Sequence, residues 1–116
     1  MKSTPLLLGV EIGATKLQAA LGHPDGTIVE MVHQAGDHEG GGGAIRRQVR
    51  QMIETLLESG KAKAIGIGFG GPVDYADGRV IKSNQVADWE DFPLAAWAEQ
   101  TFGLPCRIGN DTDTAA

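Results

Sequence analysis

With 116 residues, 41% hydrophobic and 22% charged, the chain is long enough for one domain with its own core and short for a complete two-substrate enzyme. A net charge of -5 argues against a nucleic-acid-binding face, and the one basic cluster, Arg46-Arg47 and Arg50, reads as a solvated face of a single helix. No apolar run reaches membrane-spanning length.

Met1 to Leu8 has the superficial look of a signal peptide. Gly9 and Glu11 break the apolar stretch early, however, and no small-residue cleavage site follows. Leu6 to Ile12 instead reads as a strand whose nearly continuous apolar run implies cover on both faces. A tight turn at Gly13-Ala14-Thr15 leads to a second strand, Lys16 to Leu21, in which Leu17, Ala19 and Leu21 alternate with Lys16, Gln18 and Ala20. His23-Pro24-Asp25-Gly26 marks the next turn and Thr27 to His33 a third strand, so the chain opens as an antiparallel meander.

Ala35 to Gly43 is polar and glycine-rich and is expected to be a flexible loop. Its run Gly40 to Gly43 lacks both the Gly-Lys-Ser/Thr that would follow in a phosphate loop and a strand immediately before it. From Ala44 to Ser59 the spacing predicts an amphipathic helix, with Ile45, Val49, Met52, Ile53, Leu56 and Leu57 on one face and Gly60 placed as a C-terminal cap. Ala64 to Phe69 follows as a fourth strand, and a helix leading to a strand after a meander implies a crossover to a parallel neighbour. Asp74 to Ile81 reads as a small hairpin around Asp77-Gly78. A second helix is expected near Asp91, with Pro93 in its first turn and Gly103 past its end, and Leu104 to Ile108 is a fifth strand.

The order is β-β-β-α-β-α-β, an α/β arrangement with helices packed on a mixed five-stranded sheet. Cys106 cannot form an internal disulfide and lies in an apolar strand, which implies a buried thiol in a reducing compartment; the cytoplasm is the expected location. His23, His33 and His38 follow no metal-ligand pattern and read as surface residues. Asn110 to Ala116 reads as a strand end passing into a helix barely two turns long, so these residues are expected to be the front portion of a longer protein.

Chemistry concentrates where apolar strands stop. At the first turn, Gly13 permits a backbone that aims successive N–H groups outward, a geometry that binds phosphate oxygens. Thr15 adds a hydroxyl and Lys16 a positive charge if its side chain turns inward. Glu11 lies just before the turn and is placed to hold magnesium through water. A plain hairpin with a glycine turn accounts for the same residues. At the chain end, Asp111 is placed to accept the proton of an attacking hydroxyl and Asn110 to hydrogen-bond a substrate; alternatively Asp111 or Thr112 is a helix N-cap, with Asp113 compensating the helix dipole. Between them, Gly66 to Asp74 ends a buried strand in Gly70-Gly71-Pro72, a rigid wall without side chains that suits a sugar ring.

These three segments, in this order, resemble the amino-terminal domain of the ROK family of sugar kinases and sugar-sensing repressors. Val10 to Lys16 is similar to its first phosphate motif, Gly66 to Asp74 to its Gly-x-Gly-x-Pro-Gly-Pro-Val segment, and Gly109 to Ala116 to its Glu-Asn-Asp-Ala-Asn-x-Ala-Ala segment. Ser83-Asn84 and Trp89 resemble its Asn-x-x-x-Trp region. Glu11 stands where the family usually has aspartate, Ala14 where it has glycine, Gly70 where it has proline, Gly109 where it has glutamate and Asp113 where it has asparagine.

The resemblance implies an actin-like or hexokinase-like ATPase fold of the ribonuclease H type, with residues 1–116 as an amino-terminal domain and a carboxy-terminal domain absent. It implies Asp111 as catalytic base, sugar contacts at Gly71, Asn84, Asn110 and Asp111, and ATP phosphates at Gly13, Ala14, Thr15 and Lys16. Mg-ATP is the implied cofactor, with Glu11 near the metal, and structural zinc belongs only to the absent domain. The implied reaction moves the γ-phosphate of ATP to a hexose or N-acetylhexosamine hydroxyl, in a parent that is a homo-oligomer with neither nucleic acid nor membrane as partner; this fragment alone is expected to be inactive. The other reading is a sugar-sensing transcriptional regulator or an inactive sugar-binding relative. Family repressors place a helix-turn-helix domain before this fold, and the first strand begins too near Met1 to leave room for one.

Overall fold

A computed structural model describes residues 6–13, 16–37, 39–70, 73–74, 76–80, 89 and 92–110, with Asn110 described in its backbone only. The elements are β1 (Leu6–Ile12), β2 (Lys16–Gly22), β3 (Ile28–Ala35), α1 (Gly41–Leu57), β4 (Ala62–Phe69), β5 (Val73–Asp74), β6 (Arg79–Val80), α2 (Leu94–Phe102) and β7 (Cys106–Asn110). A five-stranded sheet runs in the order β3-β2-β1-β4-β7, and β5 and β6 form a separate hairpin. β1 to β3 make the expected meander, while β4 and β7 pair parallel to β1 and β4.

The meander turns as its residues require. Gly26, at φ 98, closes the β2–β3 hairpin; His23 N–H donates to Thr27 O at 2.8 Å and Thr27 N–H to Asp25 Oδ1 at 2.9 Å. In the β5–β6 hairpin Gly78 has φ 67 and donates to Asp74 O at 2.9 Å.

One face of the sheet holds the core. Leu8, Val10 and Ile12 of β1 lie in register with Leu21, Ala19 and Leu17 of β2 and with Ile65, Ile67 and Phe69 of β4, and all are buried. Ile45, Val49, Met52, Ile53 and Leu56 of α1 and Leu94 and Ala98 of α2 join them in one cluster. The other face is less covered: Gly9, Gln18 and Arg107 are exposed, and Leu7, Ala20, Ala64 and Gly66 are half-buried. The expectation that β1 is covered on both faces therefore fails among the described residues, because α1 and α2 both contribute to the same core.

Helix α1 begins inside the glycine run expected to be a loop. Each interior glycine costs about 1 kcal/mol relative to alanine. Each fully buried large apolar residue of the stripe contributes about 1.5–3 kcal/mol, so packing outweighs propensity. Glycine is also needed at the entry. A Cβ on Gly40 would lie 2.5 Å from the Ala44 Cβ and 2.8 Å from Asp37 Oδ2, while Gly41 has φ 78. At the other end Gly60 is not the cap. Glu58 ends the helix in right-handed conformation, its N–H bonded to Thr55 O at 3.2 Å. Gly60 instead allows close approach, since a Cβ there would meet Leu6 Cδ1 at 2.8 Å. Pro93 likewise precedes α2 rather than lying in its first turn, with ψ 75 outside the helical range, and Asp91 is outside the described residues. Gly103 caps α2 as expected, at φ 69 with its N–H on Glu99 O.

Candidate active site at the strand ends

Parallel strands that end together place their following turns side by side, and ligands of open α/β sheets gather beyond such ends. Here Ile12 of β1 pairs with Phe69 of β4, and Phe69 pairs with Asn110 of β7. Gly70 N–H donates back to Ile12 O at 2.9 Å. With adjacent strands about 4.8 Å apart, the three strand ends lie within roughly 10 Å of one another. The three segments singled out in the sequence, separated by long stretches of chain, thus end on one edge of the sheet.

Of the expected phosphate residues, the structure describes Gly13 and Lys16; Ala14 and Thr15 lie outside the described residues. Gly13 N–H donates to Lys16 O at 3.0 Å, and a Cβ on Gly13 would lie 3.2 Å from that oxygen. Gly13 is not among the glycines with positive φ. Its small size accommodates the hairpin closure, and its own N–H is used inside the turn. Lys16 begins β2, exposed and paired with Ala35. Its ammonium is therefore in solvent beside the turn, with freedom to meet an anion.

Glu11 is half-buried one residue before the end of β1, in register with Gln18 and Gly68. Magnesium is bound through one or two carboxylates with retained waters and substrate phosphates. A single carboxylate one residue before the end of β1 fits that donor chemistry. Among the described residues no group of three or more His, Cys, Asp or Glu forms a metal cage.

On the substrate side, Gly70 is exposed at the end of β4. Gly71, Asn84 and Asp111 lie outside the described residues; Asn110 is the last residue of β7. The ends of β4 and β7 are brought together, and with them the points from which Gly71 and Asp111 follow.

An aromatic stack backs this edge, and the sequence reading missed it. Phe69 meets Trp89 edge-on at 4.8 Å between centroids, and Trp89 meets Phe92 at 5.7 Å. The Arg46 guanidinium lies 3.9 Å from the Phe92 centroid and 5.0 Å from that of Trp89. Arg47 and Arg50 are exposed, and Arg50 pairs with Glu54 at 3.3 Å, but Arg46 is half-buried and belongs to this stack rather than to a solvated face. The signal was its position beside Ile45, at the margin of the apolar stripe.

Asp25 and Cys106, both away from the strand ends, are displaced in their titration. The Thr27 N–H, aided by its hydroxyl, holds the Asp25 carboxyl below its usual value. Burial, with a smaller contribution from the Glu99 charge, pushes the Cys106 thiol up to about 12. His33 is exposed and His23 half-buried in its turn; His38 is outside the described residues.

A groove of about 520 Å³ opens at the opposite half of the sheet, lined by Leu7, Gly9, Ala64, Gly66 and Arg107 among others, and is separate from this edge. Among the described residues no helix is long and apolar enough to cross a membrane.

The ROK family pattern matches residues 7–116, and the chain belongs to that family. A glucokinase of Thermotoga maritima is 28% identical over 107 residues, covering 92% of this chain and 34% of the relative. A putative xylose repressor of Caldicellulosiruptor is 25% identical over 127 residues, covering 99% and 30%. Among solved structures, the ROK family glucokinase of Streptomyces griseus in complex with glucose and AMPPNP superposes with a TM-score of 0.82 at 30% identity, covering 91% of this chain and 33% of that one. The mixed sheet with its helices is thus the actin-like, hexokinase-like fold. The chain spans about a third of the length of the relatives it matches.

Proposed function

We propose that this chain forms the amino-terminal part of an ATP-dependent sugar kinase, which transfers the γ-phosphate to a hydroxyl of a hexose or N-acetylhexosamine. The observation behind the reading is the strand register, which brings the ends of β1, β4 and β7 to one edge, the points from which the glycine turn, the Gly70-Gly71-Pro72 segment and Asp111 follow in the chain. The glucokinase relatives support it.

In this mechanism Asp111, one residue past β7, accepts the proton of the attacking sugar hydroxyl. Asn110, Gly71 and Asn84 orient the ring so that this hydroxyl faces the phosphate. The backbone of Ala14 and Thr15, following Gly13, and the Thr15 hydroxyl hold ATP phosphate oxygens, and Lys16 brings its charge from solvent. Glu11 would hold magnesium through water, and the ion supplies neutralisation of phosphate charge. The remaining contacts to ATP and sugar come from the rest of the polypeptide. A cytoplasmic location and a homo-oligomeric parent agree with this reading.

Asp111→Asn in the full-length protein tests the assignment. The side chain keeps its shape and hydrogen-bonding capacity but loses its basicity. The expected result is a kcat lowered by at least about a hundredfold with sugar affinity retained. Unchanged kcat would remove Asp111 from the reaction.

The second reading is a sugar-responsive regulator, favoured by the putative xylose repressor among the relatives. It predicts sugar binding with no turnover in the unsubstituted protein.

A further inference from the structure

We propose that Arg46 is a positioning residue for the sugar side of the site, acting through Trp89 and Phe92; this rests on the sugar-kinase reading and adds to it a residue outside the strand-end segments. Arg46 is on α1, far along the chain from the rings it covers, and its guanidinium meets both members of a T-shaped pair at 3.9 and 5.0 Å. Both distances are within the range of cation–π attraction.

Each ring leads somewhere useful. Trp89 is 1% exposed and packs edge-on against Phe69, the last residue of β4, directly before Gly70 and the glycine wall. Phe92 holds the backbone on both sides of it. Its N–H donates to Trp89 O at 3.1 Å, and its carbonyl accepts from Val80 N–H of β6 and Leu94 N–H of α2, each at 2.9 Å. Arg46 therefore presses from α1 on the point where β6, α2 and the end of β4 meet. The ring contacts of Arg46 lead to the end of β4, from which the glycine wall follows, so its effect is expected on sugar rather than ATP.

Losing this contact is worth roughly three- to tenfold in a local equilibrium, too little to unfold the chain and enough to change an affinity. The test is made on the full-length protein with Arg46→Met, which keeps an apolar stem without charge, and Arg46→Lys, which restores charge on a different head group. Amide exchange of Val80, Phe92 and Leu94 and steady-state kinetics are measured together.

The expected result is exchange at those three amides faster by roughly three- to tenfold in Arg46→Met, with exchange in β1 and β2 unchanged. Sugar KM should rise by a similar factor while kcat and the KM for ATP stay within about twofold, and Arg46→Lys should lie between. Unchanged exchange would overturn the clamp. Faster exchange throughout the sheet, or equal losses in every kinetic parameter, would show a merely structural role. Faster local exchange with an unchanged sugar KM would separate the clamp from the sugar site and overturn the proposal. A parent protein that binds no sugar at all would instead bring down the kinase reading, while the exchange data would still decide whether Arg46 holds Phe92.

Discussion

Cys106 shows how a single residue's surroundings become a measurable property. Its side chain is buried beside Glu99, whose carboxylate accepts the Cys106 N–H at 3.1 Å, and the thiol is raised from 9.0 to about 12. Only the thiolate is nucleophilic, so the native thiol should be essentially inert to a disulfide reagent at pH 8 and should react promptly once the chain is denatured. Rapid reaction under native conditions would contradict the burial. The sign for stability follows from the same shift. A group with a raised folded pKa contributes stability that is complete below the unfolded value near 9 and is lost as pH rises through about 12. Denaturant midpoints should therefore decline in that alkaline window, and less so for Cys106→Ala. That this thiol is buried was legible from the alternation of β7. Arg46 was not legible in the same way, because helical periodicity places a residue on a face without saying what arrives to cover it. Trp89 and Phe92 come from more than forty positions along the chain.

At the level of elements, turns were read well and helix ends less so. Asp77-Gly78 and His23 to Gly26 close hairpins where their residues demand it, and Gly103 ends α2. Gly78 is the sharpest case. It has φ 67, and a Cβ there would lie 2.6 Å from the Ala95 Cβ at the start of α2. Gly78→Ala should cost about 1–3 kcal/mol, combining backbone strain with overpacking, as measured by urea unfolding. A neutral result would mean that the hairpin is free to move off α2.

The glycine run before α1 misled because composition favours a loop, whereas packing of the apolar stripe and the close approach at Gly40 favour a helix. The same region supplies a second test. Gln48 donates to Gln34 Oε1 at 2.7 Å and to Ala35 O at 3.0 Å, and its Oε1 accepts from Asp37 N–H at 2.7 Å. One side chain thus ties the end of β3 to α1. Gln48→Ala should cost about 1–2 kcal/mol and speed local exchange at Asp37, because its backbone N–H loses that partner.

Over the whole molecule, the central result is that three segments distant in sequence end on one edge. The sequence showed that each strand stops in residues suited to a ligand, and the resemblance to the ROK family supplied roles for them. What periodicity could not supply was register. Ile12, Phe69 and Asn110 pair across β1, β4 and β7, and this alignment depends on non-local pairing that no window of sequence contains. Gly13 illustrates the difference. Its place in the turn was evident, but its requirement comes from the Lys16 carbonyl 3.2 Å from a would-be Cβ, not from a left-handed backbone. The core, too, proved one-sided among the described residues, since an apolar run in β1 does not reveal which face the helices choose. That leaves the edge, rather than the groove near Leu7 and Arg107, as the place where strand ends and chemistry coincide.

The most direct test of this account is ADP release by the full-length protein with Mg-ATP and a panel of glucose, fructose, mannose, N-acetylmannosamine and N-acetylglucosamine. Release that depends on one or more of these sugars, at a rate well above ATP hydrolysis without sugar, is the predicted result. A folded protein that binds one of them yet releases no ADP with any would contradict it and establish a sugar-binding protein in place of a kinase.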